Sequence, residues 1–241
     1  SGPPGCGKTE CGKIIAEIYA ALGVIKANKF TVVKRTDLIG EYVGHTAHKT
    51  QRIIDKATEN GGGVLFIDEA YSLGSNGIST TGADYSKACI DTLNQNLTEN
   101  KKKLIVIIAG YEDELEKSFF SYNPGLKRRF PFRYSISGYT TEELSEIFVK
   151  MVKQSKWRLS SEIDTKYLAD FFSKKCINLE NFGGDLENLF TQCKFAHSRR
   201  VFGKHPQYRK TLTIEDIEGG LEQWNNNMKR KSSSTEWKNI K

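Results

Sequence analysis

The chain opens Ser-Gly-Pro-Pro-Gly-Cys-Gly-Lys-Thr, and this stretch leaves few folds open. Gly2, Gly7, Lys8 and Thr9 fall on the fixed positions of G-x-x-x-x-G-K-[ST]. Glycines let successive backbone N–H groups turn inward and form a concave nest for an anion. In such a nest Gly2, Pro3, Pro4, Gly5, Cys6 and Gly7 form the cradle. Lys8 would reach the β- and γ-phosphates of a nucleotide, and the Thr9 hydroxyl would ligate Mg²⁺. Glu10 is counted with them, at the start of a helix expected from Lys8 to about Leu22. The N-terminal dipole of that helix faces the phosphates. Cys6 reads as a side chain the loop tolerates, because the loop works through its backbone. A loop of this kind follows a buried strand, so the sequence reads as a fragment cut inside the loop, with its first strand upstream of Ser1.

The remaining sequence alternates strand and helix as such a loop requires. KFTVVKR carries a β-branched run around residues 30–33, followed by TDLIGEYVGHT and a helical stretch to about Glu59. GGGVLFIDEA holds four apolar residues in succession, 64–67, directly before Asp68 and Glu69. LIVIIAG, residues 104–110, is a second such run, and FPFRYSI, residues 130–136, is read as a further strand. Short unbroken apolar runs mark strands buried on both faces of a parallel sheet. A Ser/Gly/Thr-rich loop spans 72–83, and Tyr85, Cys89, Leu93 and Leu97 then recur at helical spacing. The fold class is α/β, with phosphates bound at the strand ends.

At Gly138 the character changes. Thr140 stands three residues before Glu143, a capping box that starts a helix. From there to about Trp224 the patterns are helical and no strand is convincing, so residues 138–224 are expected to form a small all-helical domain after a first domain of residues 1–137. Residues 225–241, NNNMKRKSSSTEWKNIK, are polar, Ser-rich and basic, and read as a disordered tail.

Charge and cysteines bound the partners. The net charge is +7, but Lys and Arg are spread along the chain and no run interleaves basic with aromatic residues. A nucleic-acid partner is therefore open but not favoured. Five cysteines are scattered with no C-x-x-C pair, which points to a reducing, cytoplasmic compartment, with nucleus or plastid left open. No apolar run approaches the roughly 20 residues of a membrane span.

Three further groups bear on chemistry. Asp68 and Glu69 end an apolar strand, where acids are costly unless they face a cation or water. Taken alone they fit a solvated turn equally well; beside a phosphate loop, Asp68 reads as the Mg²⁺ ligand and Glu69 as the base that polarises the attacking water. NPGLKRRFP places Arg128 and Arg129 before residues 130–136, either as a basic surface turn or as a group that reaches a neighbouring subunit's γ-phosphate. GEYVGH sets Tyr42 and Val43 between Gly40 and Gly44. On its own Tyr42 reads as a buried ring closing a turn; the alternative is an exposed grip on a flexible loop.

Together these motifs resemble the AAA+ ATPases, in the order Walker A GPPGCGKT, pore loop YVG, Walker B VLFIDE, sensor strand and arginine finger. DLIGEYVGHTAHKT, GGVLFIDEAYSL, IIAGYEDELEKSFF and SYNPGLKRRF are most similar to the group of red-type Rubisco activase (CbbX) and stage V sporulation protein K-like proteins. The resemblance implies an αβα ATPase domain with a helical lid, ATP and Mg²⁺ as ligands, and a homohexameric ring. It implies that Tyr42, Val43 and Gly44 pull a client polypeptide through a central pore, and that Arg129, with Arg128 second, is the finger. A nucleic-acid loader or initiator and a Rubisco activase proper are the alternative readings. Two departures stand out: Gly110 and Tyr111 follow the sensor strand where most of the class has a polar residue, so Tyr111 enters the catalytic set, and Gly184 stands where the activase group carries a lid arginine.

Overall fold

The β-branched run and the two apolar runs become one parallel sheet, β1 (Phe30–Val33), β2 (Gly63–Ile67) and β3 (Leu104–Ile108), in the order β1-β2-β3. Val33 pairs with Ile67 and Ile67 with Ile108, so the three carboxyl ends finish level. β2 lies between the other two and all five of its residues are buried, which is why its sequence does not alternate. The computed structural model describes residues 1–26, 29–42, 44–74, 80–174, 181–204 and 209–236. They form two units, residues 1–3 with 7–137, and residues 4–6 with 138 onward.

In the first unit helices cover both faces of the sheet. Side chains of successive strand residues point to opposite faces, and β2 divides accordingly. Val64 clusters with Ala16 of α1 (Lys8–Ala21), and Phe66 meets α1 at Gly12. Leu65 and Ile67 join the larger core with Leu38 of α2 (Arg35–Leu38), Ile54 of α3 (His45–Thr58) and Ile90 of α4 (Thr80–Glu99). Cys89 is buried in that core, and burial pushes its thiol up to about 11, so it serves packing rather than nucleophilic chemistry. Beyond β3 come a short turn of helix, α5 (Glu112–Glu114), a π-helical turn (Leu115–Phe119) and α6 (Pro124–Arg129).

Residues 130–136 correct the expectation of a further strand. They lie in no ladder; besides the bond from the Phe130 N–H to the Leu126 carbonyl (3.2 Å) that closes the preceding helix, the backbone hydrogen bonds found there are Ser1 N–H to the Tyr134 carbonyl (2.6 Å) and Ile136 N–H to the Ser1 carbonyl (2.8 Å). Phe132 and Tyr134 are exposed, so the run lacks the burial that makes a central strand. A strand needs a paired neighbour as well as β-prone residues.

The second unit packs α7 (Thr141–Gln154), α8 (Thr165–Lys174), α9 (Phe182–Val201) and α10 (Ile214–Glu236) around Phe148, Phe172, Leu189, Phe190 and Leu221. The capping box starts α7 as its sequence predicts: the Glu143 N–H donates to Thr140 Oγ1 (3.3 Å) and the Thr140 N–H to Glu143 Oε2 (2.8 Å). Two findings go beyond the sequence. Arg158–Leu159 (β4) and Thr211–Leu212 (β5) form a two-residue parallel pair, too short for any periodicity to reveal. And α10 continues past Asn225 to Glu236, where composition points to a disordered tail. Helical hydrogen bonding needs only a continuing backbone, and Asn, Lys, Arg and Ser tolerate it when no Pro or Gly intervenes. Residues 4–6 count with this unit; the Cys6 carbonyl accepts from Tyr139 Oη (2.6 Å).

A buried carboxylate ties this unit together. Asp216 accepts from Arg200 Nε and Nη2 (2.8 Å each) and from the Thr213 N–H (3.0 Å), and faces His197 Nδ1 at 3.1 Å. Burial pushes its carboxyl up, but Arg200, the Thr213 N–H and His197 outweigh burial and hold it below the usual carboxylate range. A depressed folded pKa stabilises the unit above the unfolded value, and that contribution fades as pH falls below about 4. Asp216→Ala should lower stability by about 3–5 kcal/mol, because it strands a charged guanidinium. Thermal melting at neutral pH checks the loss, and the gap between wild type and Asp216→Ala should shrink on acidification below about pH 4.

Candidate functional site

The opening loop adopts the conformation its glycines permit. Gly5 (φ +69°) and Gly7 (φ +82°) occupy the left-handed region, where a side chain is strained. Gly7 is the N-cap of α1, so the backbone turns directly from the loop into the helix. The Gly2 N–H donates to the Gly110 carbonyl (3.3 Å), which sets the start of the loop beside the end of β3. Lys8 Nζ donates to the carbonyls of Gly2 (2.9 Å) and Pro3 (2.7 Å), folding back across the loop, and lies 5.6 Å from the centroid of the Tyr111 ring. Glu10 points away, in a surface ion pair with Lys13 (2.6 Å).

Helix packing carries Thr9 toward the acids. Gly12 meets Phe66 and, one turn on, Ala16 clusters with Val64, so α1 runs antiparallel to β2. Continued backwards, that register sets Thr9 at the end of β2 that leads into Asp68. A Cβ at Gly12 would lie 2.6 Å from Phe66 Cδ2, so glycine alone admits this approach. It is the close helix–strand contact for which glycine is suited, at a helix-propensity cost of about 1 kcal/mol.

The acidic turn is locked from both sides. The Asp68 N–H donates to the Val33 carbonyl and the Ala70 N–H to the Ala109 carbonyl (2.9 Å each), so both flanking strands hold it. Asp68 Oδ1 accepts from the Glu69 N–H (3.1 Å). Glu69 has φ +52°, a left-handed conformation that costs a non-glycine residue free energy and that clusters at functional sites. Among the described residues no cluster of three or more His, Cys, Asp or Glu is placed to hold a metal by itself. The oxygen donors Thr9 and Asp68 suit Mg²⁺, a hard ion that keeps several waters and is held by one or two carboxylates plus substrate phosphates.

Tyr111 follows Gly110 at the end of β3, and its ring stacks on Tyr71 with centroids 5.7 Å apart. Sequence reasoning passed over Tyr71; its signal was an aromatic two residues beyond Glu69 in the quoted stretch DEAYSL. Arg128 and Arg129 stand at the carboxyl end of α6, a helix that Asn123 caps by accepting from the Gly125 N–H (2.8 Å). Arg129 donates to the Gly125 carbonyl and to Thr98 Oγ1 (3.2 Å each). With Arg128, Leu97, Thr98 and Lys101 it lines an open cleft of about 400 Å³, and Thr98 and Lys101 are members the sequence did not reveal.

Tyr42 is 65% exposed, with its ring edge-on to His45 at 5.4 Å, which overturns the buried-ring reading. Gly44 caps α3 with φ +83°. Val43 lies outside the described residues.

Residues 1–137 match the ATPase family associated with various cellular activities (AAA), and residues 140–230 match the AAA lid domain. The chain belongs to the AAA ATPase family. The AAA chain is 42% identical over 234 residues to a cfxQ-like protein of Acanthamoeba polyphaga mimivirus, a match over 97% of this chain and 56% of that protein. It is 35% identical over 206 residues to the chloroplastic ribulose bisphosphate carboxylase/oxygenase activase of Cyanidioschyzon merolae, covering 85% of this chain and 64% of that one. The chain therefore spans little more than half to two-thirds of these relatives' lengths. Its fold resembles the crystal structure of the FIGL-1 AAA domain in complex with ADP, with a TM-score of 0.66 over 91% of this chain and 68% of that chain; at 21% identity the likeness is one of fold. Among the described residues of this AAA protein no helix is long and apolar enough to cross a membrane.

Lys8 is the cation that the loop geometry of the AAA domain aims along the cradle. Lys8→Ala should weaken ATP binding by more than about tenfold, or about 1.4 kcal/mol. Titration of the full-length protein with a fluorescent ATP analogue measures it; unchanged affinity would remove the phosphate-loop assignment.

Proposed function

We propose that this AAA protein is an Mg²⁺-dependent ATPase that remodels a client polypeptide, working as a homohexameric ring with ATP at the subunit interfaces. The observation that carries the reading is the convergence of the glycine loop, Lys8, Thr9 and the strained Asp68–Glu69 turn on the level carboxyl ends of a parallel sheet. Ligands of open α/β sheets bind there.

In this reading loop N–H groups and Lys8 bind the phosphates and offset their charge. Thr9 and Asp68 would hold Mg²⁺, which supplies charge neutralisation between the phosphates when bound. Glu69 orients and polarises the attacking water. Arg129 acts in trans: its guanidinium stands at an exposed cleft, steadied by Thr98 and the Gly125 carbonyl, where a neighbouring subunit's γ-phosphate can approach. Preorganised charge of this kind acts on the transition state more than on the ground state.

The exposed ring of Tyr42, beside the αL glycine that starts α3, supports a polypeptide grip. An aromatic ring offers apolar contact to an extended chain of any sequence. Rubisco is a candidate client, from the activase relative. A reducing compartment belongs to the same reading, from scattered cysteines without a C-x-x-C pair.

Four outcomes test the proposal. Arg129→Ala and Glu69→Gln should each bind ATP and each hydrolyse it at least about a hundredfold more slowly. Mixed rings of the two should regain activity, because some interfaces then hold both groups; no recovery in verified mixed rings argues against a shared site. Glu69→Gln full-length protein should also retain its client, and mass spectrometry of the trapped complex separates a polypeptide from a nucleic acid. Tyr42→Ala should slow client remodelling at least about tenfold more than it slows ATP hydrolysis, with Tyr42→Phe close to wild type. Equal loss of both rates, with a lower melting temperature, would mean that Tyr42 is a structural residue.

A further inference from the structure

Tyr71 sits on the 3-10 turn Ala70–Gly74, just past Glu69, and is half-buried. Its ring stacks on Tyr111 with an interplanar angle of 28°, and Lys8 Nζ lies over the same Tyr111 ring, 5.6 Å from its centroid. A line of three side chains thus runs from the turn that carries Glu69, across the end of β3, to the phosphate loop.

The line is held in place independently of any ligand. The Tyr71 carbonyl accepts from Ser118 Oγ (2.9 Å), on the π-helical turn that follows α5. Such turns are rare and concentrate at functional sites. The Leu115 N–H donates to the Tyr111 carbonyl (2.9 Å), so the same turn anchors both tyrosines. Gly110 leaves the room: a Cβ there would lie 2.8 Å from Tyr71 Cδ1 and 3.3 Å from Leu115 Cγ. Gly110 is absent from the positive-φ glycines, so its want of a side chain serves the ring rather than the backbone. This accounts for the departure seen in the sequence, where Gly-Tyr follows β3 in place of a polar residue.

The phenol of Tyr71 is kept neutral. Burial raises its pKa, and Glu69, Tyr111, Glu114 and Asp68 raise it further. Tyr71 therefore brings a ring face and no charge into an acidic neighbourhood.

We propose that Tyr71 is a positioning residue for ATP hydrolysis, holding the Tyr111 ring against Lys8 and so tying the phosphate-binding lysine to the turn that carries Glu69. Stacked aromatic pairs and cation–π contacts are directional, and each loses its geometry when the ring is replaced by an aliphatic group. A change at Tyr71 leaves the loop backbone and the Lys8 charge in place, so ground-state binding suffers less than when the charge itself is removed. The alignment of Lys8 with Glu69 counts most in the transition state, so its loss falls on kcat more than on KM.

The proposal rests on the ATPase reading above, and the test separates the two. Steady-state ATPase kinetics on full-length wild type, Tyr71→Leu, Tyr71→Phe, Tyr111→Leu and the Leu/Leu double variant are the measurement, with melting temperatures alongside. Tyr71→Leu should lower kcat about tenfold with KM moved by less than about threefold, and Tyr71→Phe should recover most of the rate because the ring returns. The double variant should be no slower than either single one, since one broken link already frees Lys8. Multiplicative losses in the double variant, an undiminished kcat in Tyr71→Leu, or a Phe variant as slow as Leu would each overturn the positioning role. A fall in kcat that tracks a lowered melting temperature across the set would overturn it too. Wild-type protein that hydrolyses no ATP would overturn the ATPase reading and this one together.

Discussion

The contact between Gly12 and Phe66 is the constraint on which the rest of the first unit depends. It lets α1 lie close on β2 and fixes the helix antiparallel to the strand. Because β1, β2 and β3 finish level, that one approach delivers the loop, Lys8 and Thr9 to the place where Asp68 and Glu69 emerge. A bulkier residue at Gly12 would meet an aromatic ring packed in the core, with little freedom to move. The site is thus set by a packing distance before any charge is considered.

Around that contact the structure spends conformational freedom where chemistry requires it. Glu69 is held in the left-handed region by hydrogen bonds on both sides of the turn, from the Asp68 N–H to the Val33 carbonyl and from the Ala70 N–H to the Ala109 carbonyl. The neighbouring end of β3 is organised by rings rather than by a polar side chain: Tyr71 stacks on Tyr111, Lys8 Nζ lies over the Tyr111 ring, and Gly110 makes room. Both features belong to rigid, buried strands and their immediate ends, where small displacements are resisted.

The second unit solves a different problem. Its helices bury an apolar core, and one carboxylate, Asp216, joins α9, α10 and the loop before α10 through four polar contacts. A buried charge with this many partners is satisfied only as a set, and losing one member is destabilising because it leaves the others uncompensated. No local pattern announces it, because Arg200 and Asp216 are separated in sequence and neither spacing nor composition pairs them.

Much of the site was legible in the residues themselves. The phosphate loop is local: its glycines, Lys8 and Thr9 are contiguous, and backbone conformation alone makes the nest. β2 was readable because burial on both faces forces a continuous apolar run, β1 and β3 from their β-branched and aliphatic residues, and α7 because its capping box is a four-residue signal. Residues 130–136 misled because β-propensity does not supply a ladder partner, and the β4–β5 pair escaped because two residues carry no period. The tertiary structure decided what depends on distance between segments: the exposure of Tyr42, the seat of Arg129 against Thr98, and the stack of Tyr71 on Tyr111. Composition and spacing act along the chain, whereas the Arg129–Thr98 and Tyr71–Tyr111 contacts join residues far apart in it, and only tertiary packing brings such residues within reach or leaves a ring such as that of Tyr42 in solvent.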